Sequence, residues 1–326
     1  MHTAIGSILR SSTKKVEDKI NVLTFSTHER YQSNMSDINA NFWLINNHKI
    51  KKWDYTYANV PKNHYVLNNV FEISDIPKYI EFDIVLSQSR FSQFLFSKKI
   101  SEYLKIPHVC LEHTVMTDFR QKFKNLIADH NIFISDYSAK SWMANYEYDV
   151  VEHGIDSVLF HNKNIKRENI VLSVVNDWIN RDFECGFSLW KEITKNFPTK
   201  VIGNTPNLSE PAKDIEELIQ AYNKSLIFLN TSIHSPIPTS LLEAMACGCC
   251  VISTKNPMIE NVITNNENGF ISNNKNELIE YIDFCLKNTD KCKEIGKKAR
   301  QTIIEKFSLN NFTKKWNSLL LKTLRN

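Results

Sequence analysis

The strongest constraint on the fold is the alternation of short apolar runs with amphipathic stretches along the chain. The run FDIVLSQS at 82–89 is typical of a buried strand, whereas FSQFLFSKKISEYLKI at 91–106 places its apolar residues on one face of a helix. Strands that alternate with helices predict parallel sheets covered on both faces. The predicted strands are 20–27, 64–69, 82–89, 107–114, 130–136 and 149–154, then 169–176, 200–203, 225–230, 249–254 and 269–272.

A polar interruption divides this alternation into two series. The chain has 326 residues, more than one typical domain, and the stretch SVLFHNKNIKREN at 157–169 separates the series. We therefore predict an α/β protein with two doubly wound, Rossmann-like domains facing a cleft, with ligands beyond the carboxyl ends of the strands. The predicted segments are an N-terminal arm at 1–18, a first domain at 19–158, a second domain at 159–306, and a terminal helix at 307–326 that returns to the first domain.

The composition indicates an ordinary globular chain, because 42% of the residues are hydrophobic and 23% are charged. The formal net charge of +4 is too small to indicate a nucleic acid partner. We expect no secretion signal at the start and no membrane-spanning segment, since no apolar run is long enough. The basic C-terminal end indicates either a solvated helix face or weak attraction to an anionic membrane surface. Its basic residues are Lys297, Lys298, Arg300, Lys314, Lys315, Lys322 and Arg325.

Three of the seven cysteines, Cys247, Cys249 and Cys250, lie close together in the sequence. A zinc site needs two ligand pairs separated by a loop, and this chain has no CxxC pair. We therefore predict no metal site and interpret these residues as buried thiols at the start of a strand. Reduced cysteines are typical of a cytoplasmic protein, either free or peripheral to the inner face of a membrane.

The stretch SPIPTSLLEAMACG at 235–248 predicts an anion site, although the chain has neither GxGxxG nor GxxxxGK[ST]. A strand should end near Asn230, and a helix should open at Thr239 or Ser240. Helix N-termini present free amides and a partial positive charge, which suit a phosphate. Because proline has no N–H, the first available amides belong to Thr239, Ser240 and Leu241.

Glu243 lies just inside this helix and has two interpretations. Ser240 and Glu243 have the spacing of a capping box, in which the carboxylate bonds back to the serine amide. Alternatively, the carboxylate accepts hydrogen bonds from two neighbouring hydroxyls, such as a ribose diol.

The wider segment 229–270 resembles the donor-binding signature of GT-B glycosyltransferases, in particular the retaining family four, or group 1, enzymes. LEAMACG at 242–248, IENVI at 259–263 and Asn268-Gly269 match that signature at the usual distances. Further similarities are VVEHGIDSVLF at 150–160, LEHT at 111–114 and FSLNNFTKKW at 307–316.

The resemblance implies a retaining glycosyltransferase that moves a hexose-type sugar from a nucleoside diphosphate to a hydroxyl acceptor, such as a glycan or a lipid-linked molecule. Glu243 matches the acid that holds the ribose, and Gly203-Asn204 matches a loop near the nucleobase. Ser235 stands where the family has its first glutamate, which faces the transferred sugar. No obligatory cofactor or metal is implied, since the nucleotide sugar is a co-substrate.

The leaving diphosphate needs a fixed cation or a metal. Cys185 stands where the family has lysine, so Arg181 is the predicted cation; the alternative is a surface arginine paired with Asp177 or Asp182. His113 matches a histidine that contacts the transferred sugar, and its alternative role is a strand-end histidine bonded to backbone.

His28, Arg30 and Arg90 follow two predicted strands and are candidates for binding the acceptor or phosphate. An ion pair between Glu29 and Arg30 is the alternative for that segment. Ser235 and Cys185 also favour a second hypothesis, a catalytically weak relative that binds nucleotide sugar or glycan without turnover. A sugar-nucleotide epimerase would need acid–base carboxylates that the sequence does not locate.

Overall fold

The computed structural model describes residues 19–325, and the predicted arm at 1–18 lies outside them. The chain divides into two compact units: unit 1 comprises the described residues of Met1–Gly154 and Asn310–Asn326, and unit 2 comprises Ile155–Leu309. Within residues 19–325, no helix is both long and apolar enough to cross a bilayer. The predicted α/β class, with two parallel sheets, is confirmed.

Unit 1 contains a seven-stranded parallel sheet in the order β3-β2-β1-β4-β5-β6-β7. This order reverses direction between β1 and β4, which defines the switch point of a Rossmann-type sheet. The strands are β1 (Ile20–Phe25), β2 (Ala40–Asn46), β3 (His64–Asn68), β4 (Ile84–Ser87), β5 (His108–Glu112), β6 (His130–Phe133) and β7 (Asp149–Val150). The helices are α1 (Glu29–Ser33), α2 (Phe94–Leu104) and α3 (Asp136–Ser141), with short 3-10 turns at Ile73–Asp75 and Asp118–Phe123.

Unit 2 contains a five-stranded parallel sheet in the order β12-β11-β10-β8-β9, with its switch point between β8 and β10. The strands are β8 (Glu168–Val174), β9 (Thr199–Ile202), β10 (Ser225–Asn230), β11 (Cys250–Ser253) and β12 (Phe270–Ile271). The helices are α4 (Asp182–Cys185), α5 (Phe187–Thr194), α6 (Ile215–Lys224), α7 (Thr239–Ala246), α8 (Pro257–Glu260), α9 (Lys275–Lys287) and α10 (Thr289–Lys306). The terminal helix α11 (Leu309–Arg325) follows.

The central strands are buried on both faces, which explains why they are apolar without alternation, whereas the edge strands β3 and β9 are partly exposed. Every residue of β10 and of β11 is buried, and helices α9 and α10 pack their apolar sides against this sheet. In unit 1, Trp316 of α11 is fully buried and its indole donates to the hydroxyl of Tyr31 at 3.1 Å. Both cores therefore leave the strand ends, and the loops that follow them, as the positions for polar chemistry.

Candidate active site

Helix α7 begins at Thr239, as predicted, at the switch point of the unit 2 sheet. The hydroxyl of Ser240 donates to the carbonyl of Val174, the last residue of β8, at 3.1 Å. This bond fixes the helix start against the carboxyl end of that strand. The location is the one at which ligands bind in doubly wound sheets.

Two amides at this helix start are free for a ligand, rather than the three that we predicted. Among residues 19–325, the amides of Thr239 and Ser240 find no protein acceptor, and both residues are half-buried. The prediction for Leu241 is wrong, because its amide donates to the carbonyl of Pro238 at 3.1 Å. Pro238 precedes the helix in an extended conformation, so its carbonyl closes a tight first turn.

The carboxylate of Glu243 is buried, with 5% of the residue exposed, and accepts a hydrogen bond from the hydroxyl of Tyr222 at 3.0 Å. The capping box is not formed, because Pro238 rather than Ser240 occupies the N-cap position. The sequence alone did not indicate Tyr222 as the partner of Glu243. It lies on α6, and only the packing of α6 and α7 on the sheet brings the two side chains together.

The loops after β8 and β9 are joined by hydrogen bonds. The amide of Asn204 donates to the side-chain oxygen of Asn176 at 2.9 Å, and the amide of Asp177 donates to the carbonyl of Asn204 at 2.7 Å. Gly203 has φ of 141°, and an added Cβ would lie 1.9 Å from the carbonyl oxygen of Val175. Glycine is therefore required for the loops to approach this closely, and the side chain of Asn204 stays exposed.

Arg181 is exposed at the start of α4, and its guanidinium donates to the carbonyl of Asn176 at 3.4 Å. Among the described residues, it forms no ion pair with Asp177 or Asp182, whose carboxylates accept from Asn180 and Ser188. The positive charge of Arg181 therefore lies beside the loop that leaves β8.

Cys185 and Ser235 are the two departures from the resembled family. Burial raises the pKa of the Cys185 thiol, so it supplies no charge in place of lysine. Ser235 is half-buried in the loop between β10 and α7, and its carbonyl accepts from the side-chain amide of Asn256 at 3.3 Å.

In unit 1, three histidines gather beyond the carboxyl ends of the strands. The rings of His28 and His113 lie 4.1 Å apart, and those of His113 and His153 lie 6.5 Å apart, measured between centroids. His113 Nε2 lies 3.3 Å from the side-chain oxygen of Gln88, which follows β4. Burial, and secondarily the neighbouring His28 and His153, holds the pKa of His113 well below its usual value. Burial lowers the pKa of His153 to about 4. His113 and His153 are therefore neutral near pH 7. Each neutral ring can donate one hydrogen bond and accept another, but it carries no charge.

His28 adopts a backbone conformation that is unusual for a residue with a side chain. It precedes α1 with φ of 47°, in the left-handed region. Glycines stand at this point in the resembled family, and the strain of a non-glycine residue here is of order 1 kcal/mol. The sequence also suggested an ion pair between Glu29 and Arg30. In the structure, the Glu29 carboxylate pairs instead with the amino group of Lys51 at 2.6 Å.

Arg90 was predicted to bind the acceptor or a phosphate, and this prediction is wrong. Its guanidinium lies 3.6 Å from the carboxylate of Glu112, and both side chains are completely buried. It also donates to Leu126, Asn131 and Tyr146 and lies over the rings of Phe133 and Trp142. Because its N–H donors point into the core, Arg90 stabilises the fold and does not bind a ligand.

Three buried thiols, those of Cys250, Cys285 and Cys292, have sulfur atoms within 4.8 Å of one another. They come from β11, α9 and α10 and lie inside the apolar core of unit 2. Cys247 and Cys249, which are near Cys250 in the sequence, are not part of this group. The sequence did not indicate the group, because Cys250 lies 35 residues before Cys285, and Cys285 and Cys292 come from different helices.

Residues 209–302 match the model of the family described as "Glycosyl transferases group 1". A curated relative, the probable sucrose-phosphate synthase of Thermosipho melanesiensis, is 26% identical over 206 residues. The match covers 59% of this chain but 45% of the relative, so this chain spans less than half the length of that protein.

Solved structures show the same fold along nearly the whole chain. Anabaena HepE in complex with UDP covers 94% of this chain and all of its own, with a TM-score of 0.74 at 15% identity. HepE has also been solved with UDP-glucose. A glycosyltransferase from Rickettsia africae covers 95% of this chain and all of its own, with a TM-score of 0.66 at 20% identity. The resemblance drawn from the sequence is thus confirmed in two respects: the chain has the GT-B fold, and residues 209–302 match the group 1 family model.

Proposed function

We propose that this chain is a retaining glycosyltransferase that transfers a hexose from a nucleoside diphosphate to a hydroxyl group of a glycan or glycolipid. The observation that carries the proposal is the start of α7, with two free amides fixed at the switch point of the unit 2 sheet. A helix start of this kind favours a diphosphate. The UDP and UDP-glucose complexes of HepE, a protein of the same fold, support a nucleotide sugar as the ligand.

Each part of the donor has a proposed partner in unit 2. The Thr239 and Ser240 amides bind phosphate oxygens, and Arg181 adds the positive charge that a leaving diphosphate requires. Glu243, oriented by Tyr222, accepts hydrogen bonds from the ribose hydroxyls. The loop at Gly203 and Asn204 contacts the base.

The chemistry proposed follows from the charges available. A retaining transfer passes through an oxocarbenium-like state, and a phosphate oxygen of the donor takes the proton of the acceptor hydroxyl on the same face of the sugar. His113 is neutral, so it orients the transferred sugar by hydrogen bonding rather than by charge. Ser235 offers the sugar a hydroxyl where the resembled family has a carboxylate. His28 and Arg30 are proposed for the acceptor.

A binding protein without turnover is the second candidate, and a specific observation favours it. Cys185 is a neutral, buried thiol in place of lysine, and Ser235 brings no charge to the sugar. Under that hypothesis the chain binds nucleotide sugars, but it releases no nucleoside diphosphate when an acceptor is added.

The test is a thermal-shift panel of nucleoside diphosphates and nucleotide sugars on the wild type and on Glu243→Ala. A ligand that binds only the folded protein raises the melting temperature by mass action. We expect one nucleotide sugar to stabilise the wild type and to have little effect on Glu243→Ala. Glu192→Ala, which removes an exposed acid on α5, is the matched control and should keep the full shift.

Two outcomes separate the hypotheses. Stabilisation by no nucleotide, with both proteins folded, would contradict the donor site itself. Stabilisation by a nucleotide sugar without release of nucleoside diphosphate, across a panel of sugar and lipid-linked acceptors, would favour the binding protein.

A further inference from the structure

Unit 1 exposes a cluster of aromatic and basic side chains that the proposed donor chemistry does not use. Phe119 is 68% exposed and Phe91 is 44% exposed, although both are large apolar residues. The ring of Phe123 lies 6.4 Å from that of Phe91, which joins the two segments. We call this the aromatic-basic surface, defined by Phe91, Phe119, Arg120, Lys122, Phe123 and Lys124.

Cations and rings are interleaved on this surface. The amino group of Lys122 lies 5.0 Å from the centre of the Phe119 ring and 5.1 Å from that of Phe123, and the Arg120 guanidinium lies 5.9 Å from that of Phe91. In the described part of the chain, Arg120, Lys122 and Lys124 form no ion pair with a carboxylate. Asp118 is the one acid in the stretch DFRQKFK at 118–124, which therefore carries net positive charge.

This combination is typical of a surface that meets a lipid bilayer. Exposed aromatic rings favour the headgroup level of a membrane, and lysine and arginine beside them are attracted to anionic lipids. Two further apolar side chains in neighbouring segments are exposed, with Leu95 at 60% and Ile127 at 50%. Single-stranded nucleic acid is disfavoured, because the Phe91 and Phe123 rings are inclined by 49° and Lys122 covers two ring faces that bases would stack on.

The surface is built on the loop that leaves the proposed active site. His113 follows β5, and the segment bearing Phe119 comes next in the chain. The Arg120 guanidinium donates to the carbonyl of Val115 at 3.0 Å, which ties the surface to that strand end.

We propose that the aromatic-basic surface docks unit 1 on an anionic lipid bilayer and that the acceptor hydroxyl belongs to a lipid-anchored molecule. The acceptor part rests on the proposed function, whereas the docking does not. At the basic C-terminal end, by contrast, Lys315 and Lys322 already pair with acids of unit 1, which leaves fewer cations there for an anionic surface.

The test is sedimentation of the full chain with vesicles of phosphatidylcholine alone, and with vesicles that also contain about 30 mol% phosphatidylglycerol. We expect binding to the anionic vesicles that weakens as salt is raised. Lys122→Glu should lower the partition coefficient about 30-fold, because the reversal removes one attractive charge and adds one repulsive charge. Phe119→Ser should lower it about tenfold through lost burial of the ring.

Matched controls change an exposed aromatic residue and an exposed lysine elsewhere in the chain. Tyr79→Ser removes an aromatic residue that is 86% exposed, and Lys298→Glu reverses an exposed charge on α10. Both should bind vesicles within about twofold of the wild type. All the substituted side chains are exposed, so the variants should fold, which circular dichroism can check.

The docking proposal is overturned if the wild type does not bind anionic vesicles. It is also overturned if Lys122→Glu and Phe119→Ser lose no more vesicle binding than the two controls. A third outcome is self-association of the chain without vesicle binding, abolished by Lys122→Glu and Phe119→Ser. That outcome would assign the aromatic-basic surface to a second copy of the chain and would also overturn the docking proposal. Thermal shifts with nucleotide sugars on the same samples report the donor site separately. A retained shift without vesicle binding would therefore refute the docking and leave the proposed function intact.

Discussion

The guanidinium of Arg90 lies 3.6 Å from the carboxylate of Glu112, and neither side chain is exposed to solvent. Glu112 also accepts hydrogen bonds from the amide and the hydroxyl of Thr114, at 3.1 Å and 2.6 Å. The pair therefore fixes the turn from Glu112 to Thr114, which carries His113. It acts on the proposed site through the backbone and not by contact with a ligand.

Breaking this pair should destabilise unit 1 strongly. Arg90→Met leaves the Glu112 carboxylate buried without its cation, which costs about 3–5 kcal/mol. We expect unfolding at clearly lower urea concentration, measured by tryptophan fluorescence. The double variant Arg90→Met with Glu112→Gln should recover part of the loss, because no charge stays buried. Lys275→Gln breaks an exposed pair with Glu192 and should change the stability by less than about 1 kcal/mol; an equal loss there would contradict the interpretation.

Tyr222→Phe should weaken nucleotide binding without unfolding the chain. The change removes the hydroxyl that donates to Glu243 at 3.0 Å, so the carboxylate is no longer held in one orientation. We expect the Kd for UDP to rise about tenfold or more, as for a lost hydrogen bond to a charged group, with binding of inorganic diphosphate unchanged. Calorimetry with both ligands makes the comparison. A parallel loss for diphosphate would indicate a general structural effect instead.

Arg181→Ala should affect the diphosphate rather than the nucleoside. Removing one charge-assisted contact should raise the Kd for UDP about tenfold and leave that for uridine unchanged. Arg181→Lys should keep part of the affinity, because the charge remains although the planar fork is lost. Lys195→Ala, an exposed cation at the end of α5, is the control. Unchanged UDP binding by Arg181→Ala would return this residue to an ordinary surface role.

Gly203→Ala should destabilise unit 2, while Asn204→Ala should not. A Cβ on residue 203 would lie 1.9 Å from the Val175 carbonyl oxygen, so the backbone of one loop must move. We expect a loss of about 2 kcal/mol or more for Gly203→Ala and less than about 0.5 kcal/mol for the exposed Asn204. The measurement is the melting temperature of the two variants in thermal unfolding. Similar melting temperatures would be inconsistent with the close approach of the loops.

The stability of unit 1 should fall as the pH drops from about 6.5 towards 4. His153 has a pKa of about 4 in the folded protein, below the unfolded value of 6.5, so the unfolded chain binds more protons in this window. The contribution of the neutral ring is fully present above pH 6.5 and decreases by up to about 3 kcal/mol towards pH 4. His153→Gln should therefore show a shallower decline in the urea midpoint between pH 7 and 5. His161→Gln, at an exposed position, should decline like the wild type. Identical slopes for wild type and His153→Gln would show that the ring is not held neutral.

The sequence predicted the fold class, most of the strands and the start of α7, because these follow from local patterns. Apolar runs without alternation indicate parallel strands, and a serine–threonine pair after two prolines indicates a helix start. Strand β2 was missed, since ANFWLIN at 40–46 mixes apolar residues with asparagines and has no clear period. The match of 229–270 to the group 1 signature also came from residues close in the chain.

The tertiary structure decided which polar side chains face a ligand and which face the core. Arg90 and Arg181 both follow strands and look alike in the sequence, yet one is buried beside Glu112 and the other is exposed beside Asn176. The partner of Glu243 comes from another helix, and the histidines that gather around His113 follow different strands. Sequence patterns report contacts within an element, whereas burial and partner choice depend on which elements the sheet order brings together, and that order is set only when the whole core packs.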